Sequence, residues 1–107
     1  MTGEGIPGDG APSEDLARRL QRYLEITTRA LTLVRVAPPE RSFLHRGGQD
    51  MLDMARTYLE DARHFRARGD LARALAAVSY AHGWIDAGVR LGLLDGGDND
   101  EIFTQFS

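Results

Sequence analysis

The sequence contains no cysteine and no lysine, and each absence excludes a class of chemistry. Without cysteine, the 107 residues offer no disulfide, no thiolate metal ligand and no thiol nucleophile. All 13 basic residues are arginine, which excludes Schiff-base catalysis and the lysine of a phosphate-binding P-loop. The 16 acidic residues bring the net charge to −3, so the chain as a whole does not attract nucleic acid.

Long apolar runs are also missing. No run approaches the roughly 18–20 residues that cross a bilayer. Met1–Pro12 has neither the basic start nor the apolar stretch of a signal peptide, so we expect a cytoplasmic protein. Hydrophobic residues make up 42% of the chain and charged residues 27%, which is typical of a globular protein. This length suits one domain with one core.

Three amphipathic stretches predict three helices, near residues 14–36, 49–68 and 70–92. Ser13 is the expected N-cap of the first helix, and Pro38-Pro39 forbids its continuation. Residues 40–48 are predicted to form a connector, in which Phe43 and Leu44 contact the core. One apolar stripe runs along each helix, through Leu16, Leu20, Tyr23, Leu24, Thr27, Leu31 and Val34; through Met51, Met54, Ala55, Tyr58, Leu59, Ala62 and Phe65; and through Leu71, Ala74, Leu75, Val78, Ala81, Ile85 and Val89.

The second and third helices are predicted to form an antiparallel hairpin. Gly69 suits the left-handed position after a helix, and Asp70 then caps the next helix at once. A turn this short places two helices side by side, and the first helix is expected to pack across them. The predicted fold is an all-α three-helix bundle at residues 13–94, after a disordered segment at 1–12 and before an acidic link and short apolar tail at 95–107.

Several strings in the two later helices resemble known families. Tyr58–Ala62, Phe65 with Gly69-Asp70, Tyr80–Gly88 and Leu91–Leu94 together resemble the archaeal domain-of-unknown-function family numbered 357, over residues 14–94. That resemblance implies a compact helical bundle in an archaeon and carries no established activity. The spacing from Ala62 to Ala81 also resembles one tetratricopeptide unit. A single unit does not build a superhelix, so this likeness implies only a helical hairpin.

No group of titratable residues has the pattern of a catalytic or metal site. His82 and Asp86 lie one helical turn apart, and we interpret them as a histidine at the rim of the core held by an aspartate, because a catalytic metal needs about three protein ligands. Asp61 and His64 have the spacing of half a di-iron motif, which requires a second copy. The acidic link lacks the twelve-residue loop of a calcium site. We therefore expect no enzyme, no metal and no cofactor.

The second face of the third helix is the strongest functional feature. The stripe already defined takes one side of this helix, yet the opposite side is apolar as well. A helix that is apolar nearly all round is buried on both sides, so either the first helix or another protein covers this face. We predict a protein-interaction or self-association module, with a homodimer as the expected form. Its predicted interface consists of Tyr80, Gly83, Trp84, Ala87, Leu91, Phe103 and Phe106.

An RNA- or DNA-associated accessory protein is the alternative function. Arginines cluster on the first helix (Arg18, Arg19, Arg22, Arg29) and near the tip of the hairpin (Arg63, Arg66, Arg68). Acidic residues such as Asp15, Glu25 and Asp61 lie among these arginines, a pattern typical of charge pairing within a helix. The sequence therefore favours a protein partner over a nucleic acid and leaves the second open.

Overall fold

The computed structural model describes residues 12–97, and these residues form three helices with one short strand pair. The chain order is α1 (Pro12–Leu33), β1 (Arg35–Val36), α2 (Phe43–Ala67), α3 (Leu71–Arg90) and β2 (Leu94–Asp95). The all-α bundle with an α2–α3 hairpin is thereby confirmed. The predicted disorder of residues 1–12 lies outside the described residues except for Pro12, and most of the link and tail at 95–107 also lies outside them.

Both ends of α1 differ from the prediction. The helix begins at Pro12, so Ser13 lies in its first turn and is not the N-cap. Proline fits a helix start because it needs no hydrogen-bond partner for its nitrogen. The helix ends at Leu33, earlier than the predicted residue 36, because the chain there leaves the helix to form β1.

A two-residue strand pair, which the helical pattern did not predict, joins the end of α1 to the end of α3. Arg35 pairs with Asp95 and Val36 with Leu94 in an antiparallel ladder. The backbone N–H of Ala37 extends the pairing by donating to the Leu93 carbonyl over 3.0 Å. The strand pair therefore fixes the segment that follows α1 to the segment that follows α3.

Helix α2 begins at Phe43, six residues before the predicted start, so most of the predicted connector is helical. Ser42 is its N-cap: the Ser42 hydroxyl accepts from the backbone N–H of His45 over 3.1 Å. The prediction that Phe43 and Leu44 contact the core is wrong, because these side chains are 85% and 55% exposed. They lie on the first turn of α2 and belong to neither part of the core.

The turn between α2 and α3 confirms the prediction for Gly69 and Asp70. Gly69 has a φ of 82°, a conformation that costs glycine little because it has no Cβ. The N–H of Asp70 donates to the Phe65 carbonyl and that of Gly69 to the Arg66 carbonyl, both over 2.9 Å, which is the Schellman pattern. The Asp70 carboxylate then caps α3 by accepting from the N–H of Arg73 over 3.2 Å.

Helix α3 lies at the centre of the packing, in contact with α1, α2 and β2. Helices α1 and α2 contact each other less than either contacts α3. The core has two adjoining parts. One is built around Leu20, Leu59 and Val78, and the other is built around Ala30, Ile85 and Leu94, near the strand pair. No helix within residues 12–97 is both long and apolar enough to cross a membrane.

Alanine substitutions at two glycines of α3 are predicted to change the stability of the fold in opposite directions. A Cβ at Gly88 would lie 2.4 Å from Cδ1 and 2.7 Å from Cγ of the buried Leu94. A Cβ at Gly83 would meet nothing within 4 Å in the described part of the chain, apart from its chain neighbours and the backbone of α3. We expect Gly88→Ala to lower the free energy of unfolding by about 1–3 kcal/mol through overpacking. Gly83→Ala should raise it by about 1 kcal/mol through helix propensity. Urea denaturation of both variants measures the difference, and equal effects would contradict this packing.

A second glycine pair tests the contact between α2 and the strand pair. A Cβ at Gly48 would lie 2.8 Å from the Leu93 carbonyl oxygen, a backbone atom, whereas at Gly47 the nearest atom is the Leu93 Cδ1 at 3.8 Å. We expect Gly48→Ala to lower the urea midpoint, because the strand pair must shift to admit the methyl group. Gly47→Ala is the matched control and should leave the midpoint unchanged or raise it. A Gly48→Ala midpoint at or above that of the control would refute the contact.

Candidate interaction surface

The predicted interface residues of α3 form a continuous surface, which we call the α3 patch: Tyr80, Gly83, Trp84, Ala87 and Leu91. Tyr80 and Leu91 are 58% and 67% exposed, and Gly83 is exposed between them. Four of the five residues line a shallow hollow of about 280 Å³, with Leu91 one turn beyond Ala87. The hollow exists because Gly83 contributes no side chain at its centre.

Helix α2, which the prediction did not name, covers part of this face, and coverage of the rest by another protein stays a prediction. The Tyr80 ring stacks on the ring of Tyr58 from α2, with centroids 4.5 Å apart and an angle of 30° between the planes. Stacked aromatic pairs of this kind add to the stability that burial alone provides. The stack fixes the Tyr80 ring and leaves its remaining surface toward solvent.

Trp84 is more buried than the sequence suggested. Its side chain is half-buried and packs against the core part that contains Leu52 and Ile85. The indole N–H is buried and has no hydrogen-bond acceptor within residues 12–97, so packing alone holds the ring within this region. The predicted tail members of the interface, Phe103 and Phe106, lie outside the described residues.

The apolar surface extends beyond the α3 patch onto α2, a feature that the sequence analysis missed. A second hollow of about 230 Å³ lies between the two helices and shares Tyr80 with the first. Its α2 members are Tyr58, Asp61 and Phe65, of which the two aromatic residues are half-buried. The sequence does contain a signal for this surface, because the apolar stripe of α2 is wider than the core requires. Leu59 and Ala62 fill the core, so Tyr58 and Phe65 lie at the edge of the stripe.

The titratable residues that the sequence singled out do not form one site. His82 is 4% exposed, so its predicted rim position is wrong. Asp86 accepts from Nε of Arg90 over 2.9 Å, and Asp61 and His64 are exposed on α2. Within residues 12–97, no three histidine, aspartate or glutamate side chains are grouped so that they could hold a metal ion.

Charge pairing within helices accounts for only some of the arginines. Arg18 and Arg19 lie 3.8 Å from the Asp15 carboxylate. Further pairs join Arg56 to Asp53, Arg73 to Asp70 and Arg90 to Asp86 at 2.9–3.5 Å. Arginines that face the contact between α1 and α2 have no such carboxylate among the described residues, so intrahelical pairing explains the basic residues only in part.

The comparisons with known proteins identify a family for this chain. Neither the curated proteins nor the solved structures contain a significant match. A family described as "protein of unknown function (DUF357)" matches residues 22–94, which is more than half of the chain and includes β1, α2, α3 and the first residue of β2. The match covers the strings in the later helices that carried the resemblance. The chain belongs to the DUF357 family.

Proposed function

We propose that this chain is a non-enzymatic, cytoplasmic protein-interaction module that self-associates through the α3 patch. The observation that carries the proposal is the apolar hollow around Gly83, bordered by an exposed tyrosine and a half-buried tryptophan. Tyrosine and tryptophan supply a large share of the binding energy in protein interfaces. A second copy of the same surface is the partner that we propose.

The shape of the α2–α3 hairpin supports this proposal. Exposed apolar surface continues from the α3 patch across the Tyr58–Tyr80 stack to Phe65. Contiguous apolar patches on a monomer are often sites of association. A twofold dimer uses the same patch on both copies, and pairing two hairpins here would bury the exposed sides of Tyr80 and Leu91.

Sedimentation velocity tests the proposal with a substitution that the isolated fold can accept. Gly83→Leu fills the hollow, and among residues 12–97 the position of its Cβ has no neighbour within 4 Å apart from its chain neighbours and the backbone of its own helix. We expect the wild type to become dimeric as its concentration rises and Gly83→Leu to stay monomeric with an unchanged far-UV circular dichroism spectrum. Ala17→Leu is the matched control, because it adds a leucine at an exposed position of α1 and should dimerise as the wild type does.

Two results would refute self-association through this surface. One is a wild type that stays monomeric at millimolar concentration, and the other is a Gly83→Leu variant that dimerises as well as the control. The tail is the competing occupant of the hollow. A wild type that is monomeric, and that dimerises only when Phe103 and Phe106 are both replaced by serine, would show that the tail covers the patch within one chain.

A further inference from the structure

A groove between α1 and α2 brings together arginines that are distant in the sequence. Arg29 of α1 lines it opposite Arg63 and Arg66 of α2, and its volume is about 370 Å³. Gln21, Glu25 and Thr28 complete its polar lining. We call it the arginine groove; it shares no residue with the α3 patch.

Hydrogen bonds between α2 and α1 position two of the three guanidinium groups. Nη2 of Arg63 donates to Oγ1 of Thr28 over 2.9 Å, and Nη1 of Arg66 donates to Oε1 of Gln21. A guanidinium has five N–H donors, so each of these side chains retains donors after making its bond to α1. Their side chains thus have fixed positions along the groove, with hydrogen-bonding capacity left for a ligand.

The groove also has an excess of positive charge. Among the described residues, no carboxylate oxygen lies within 4.0 Å of the guanidinium nitrogens of Arg29, Arg63 or Arg66. Glu25 is the one acid in the lining, and its carboxylate accepts from the Gln21 amide over 2.8 Å. Three arginines and one glutamate give the groove a net charge of two positive charges. Arg56, elsewhere on α2, differs because it pairs with the Asp53 carboxylate at 3.5 Å.

We propose that the arginine groove binds a phosphate group, carried either by a small free polyphosphate anion or by the backbone of single-stranded RNA. Guanidinium groups bind phosphate through paired, charge-assisted hydrogen bonds. A terminal phosphate has three acceptor oxygens, one for each arginine, and a backbone phosphodiester has two, enough for a pair of them. The Thr28 hydroxyl accepts from Arg63 and still has its own hydrogen to donate. This site does not depend on self-association of the chain.

Calorimetric titration of the full chain with pyrophosphate, and separately with oligouridylate, tests this site at constant ionic strength. Arg29→Gln removes one charge without cutting a bridge between α1 and α2, because those bridges come from Arg63 and Arg66. We expect it to weaken binding about tenfold or more, since charge-assisted hydrogen bonds are among the strongest that a protein makes to a ligand. Arg56→Gln, the control, should bind as the wild type does.

The two titrations also distinguish the sources of the phosphate. Saturable binding of pyrophosphate that is tighter than that of oligouridylate identifies a free anion as the ligand. Binding of oligouridylate that is tighter than that of pyrophosphate, and that weakens steeply when the titration is repeated at higher salt, identifies the RNA backbone. Absence of saturable binding for both probes would overturn the proposal, and so would an Arg29→Gln variant that folds and binds both probes as tightly as the control.

Discussion

The close approach of α2 and α3 determines where the other elements lie. The contact between these helices consists largely of alanine: Ala55 and Ala62 on α2 and Ala74 and Ala81 on α3 are fully buried. Small side chains let two helix backbones pack at short distance, and the larger residues are then displaced to the two sides of the contact. On one side Leu59 and Val78 meet α1 in the core. On the other side Tyr58 of α2 and Tyr80 of α3 stack on each other at the surface.

Both candidate surfaces follow from the small number of helices. Helix α3 is apolar around most of its circumference, and two neighbouring helices cover it only in part. Its remaining apolar side becomes the α3 patch. Helix α1 packs mainly on α3, so a gap remains between α1 and α2, and long arginine side chains span it. The same arrangement therefore gives the molecule an apolar surface and a cationic groove at separate places.

Local patterns in the sequence predicted the helices well, and contacts between distant residues account for the errors. Gly69 and Asp70 specify their turn within a few residues, so the hairpin was predictable. The early start of α2 was missed because Gly47-Gly48 is a poor helix sequence in isolation. Gly48 is needed there because a side chain would strike Leu93. His82 was expected at the rim, since the helical period alone does not show how far neighbouring helices extend over a residue.

The candidate surfaces were predictable to different degrees. Tyr80, Gly83 and Trp84 follow one helical face, and their grouping is visible in the sequence. The Tyr58–Tyr80 stack and the arginine groove depend on how helices are positioned relative to each other, which no periodicity encodes.

The strand pair also depends on contacts between distant residues, and this has a consequence for the order of folding. Arg35 pairs with Asp95, sixty positions later, whereas the hairpin closes through neighbouring segments. Because closing a long loop costs more chain entropy, we expect the strands to pair after the hairpin has formed and so to join α1 to a preassembled helix pair.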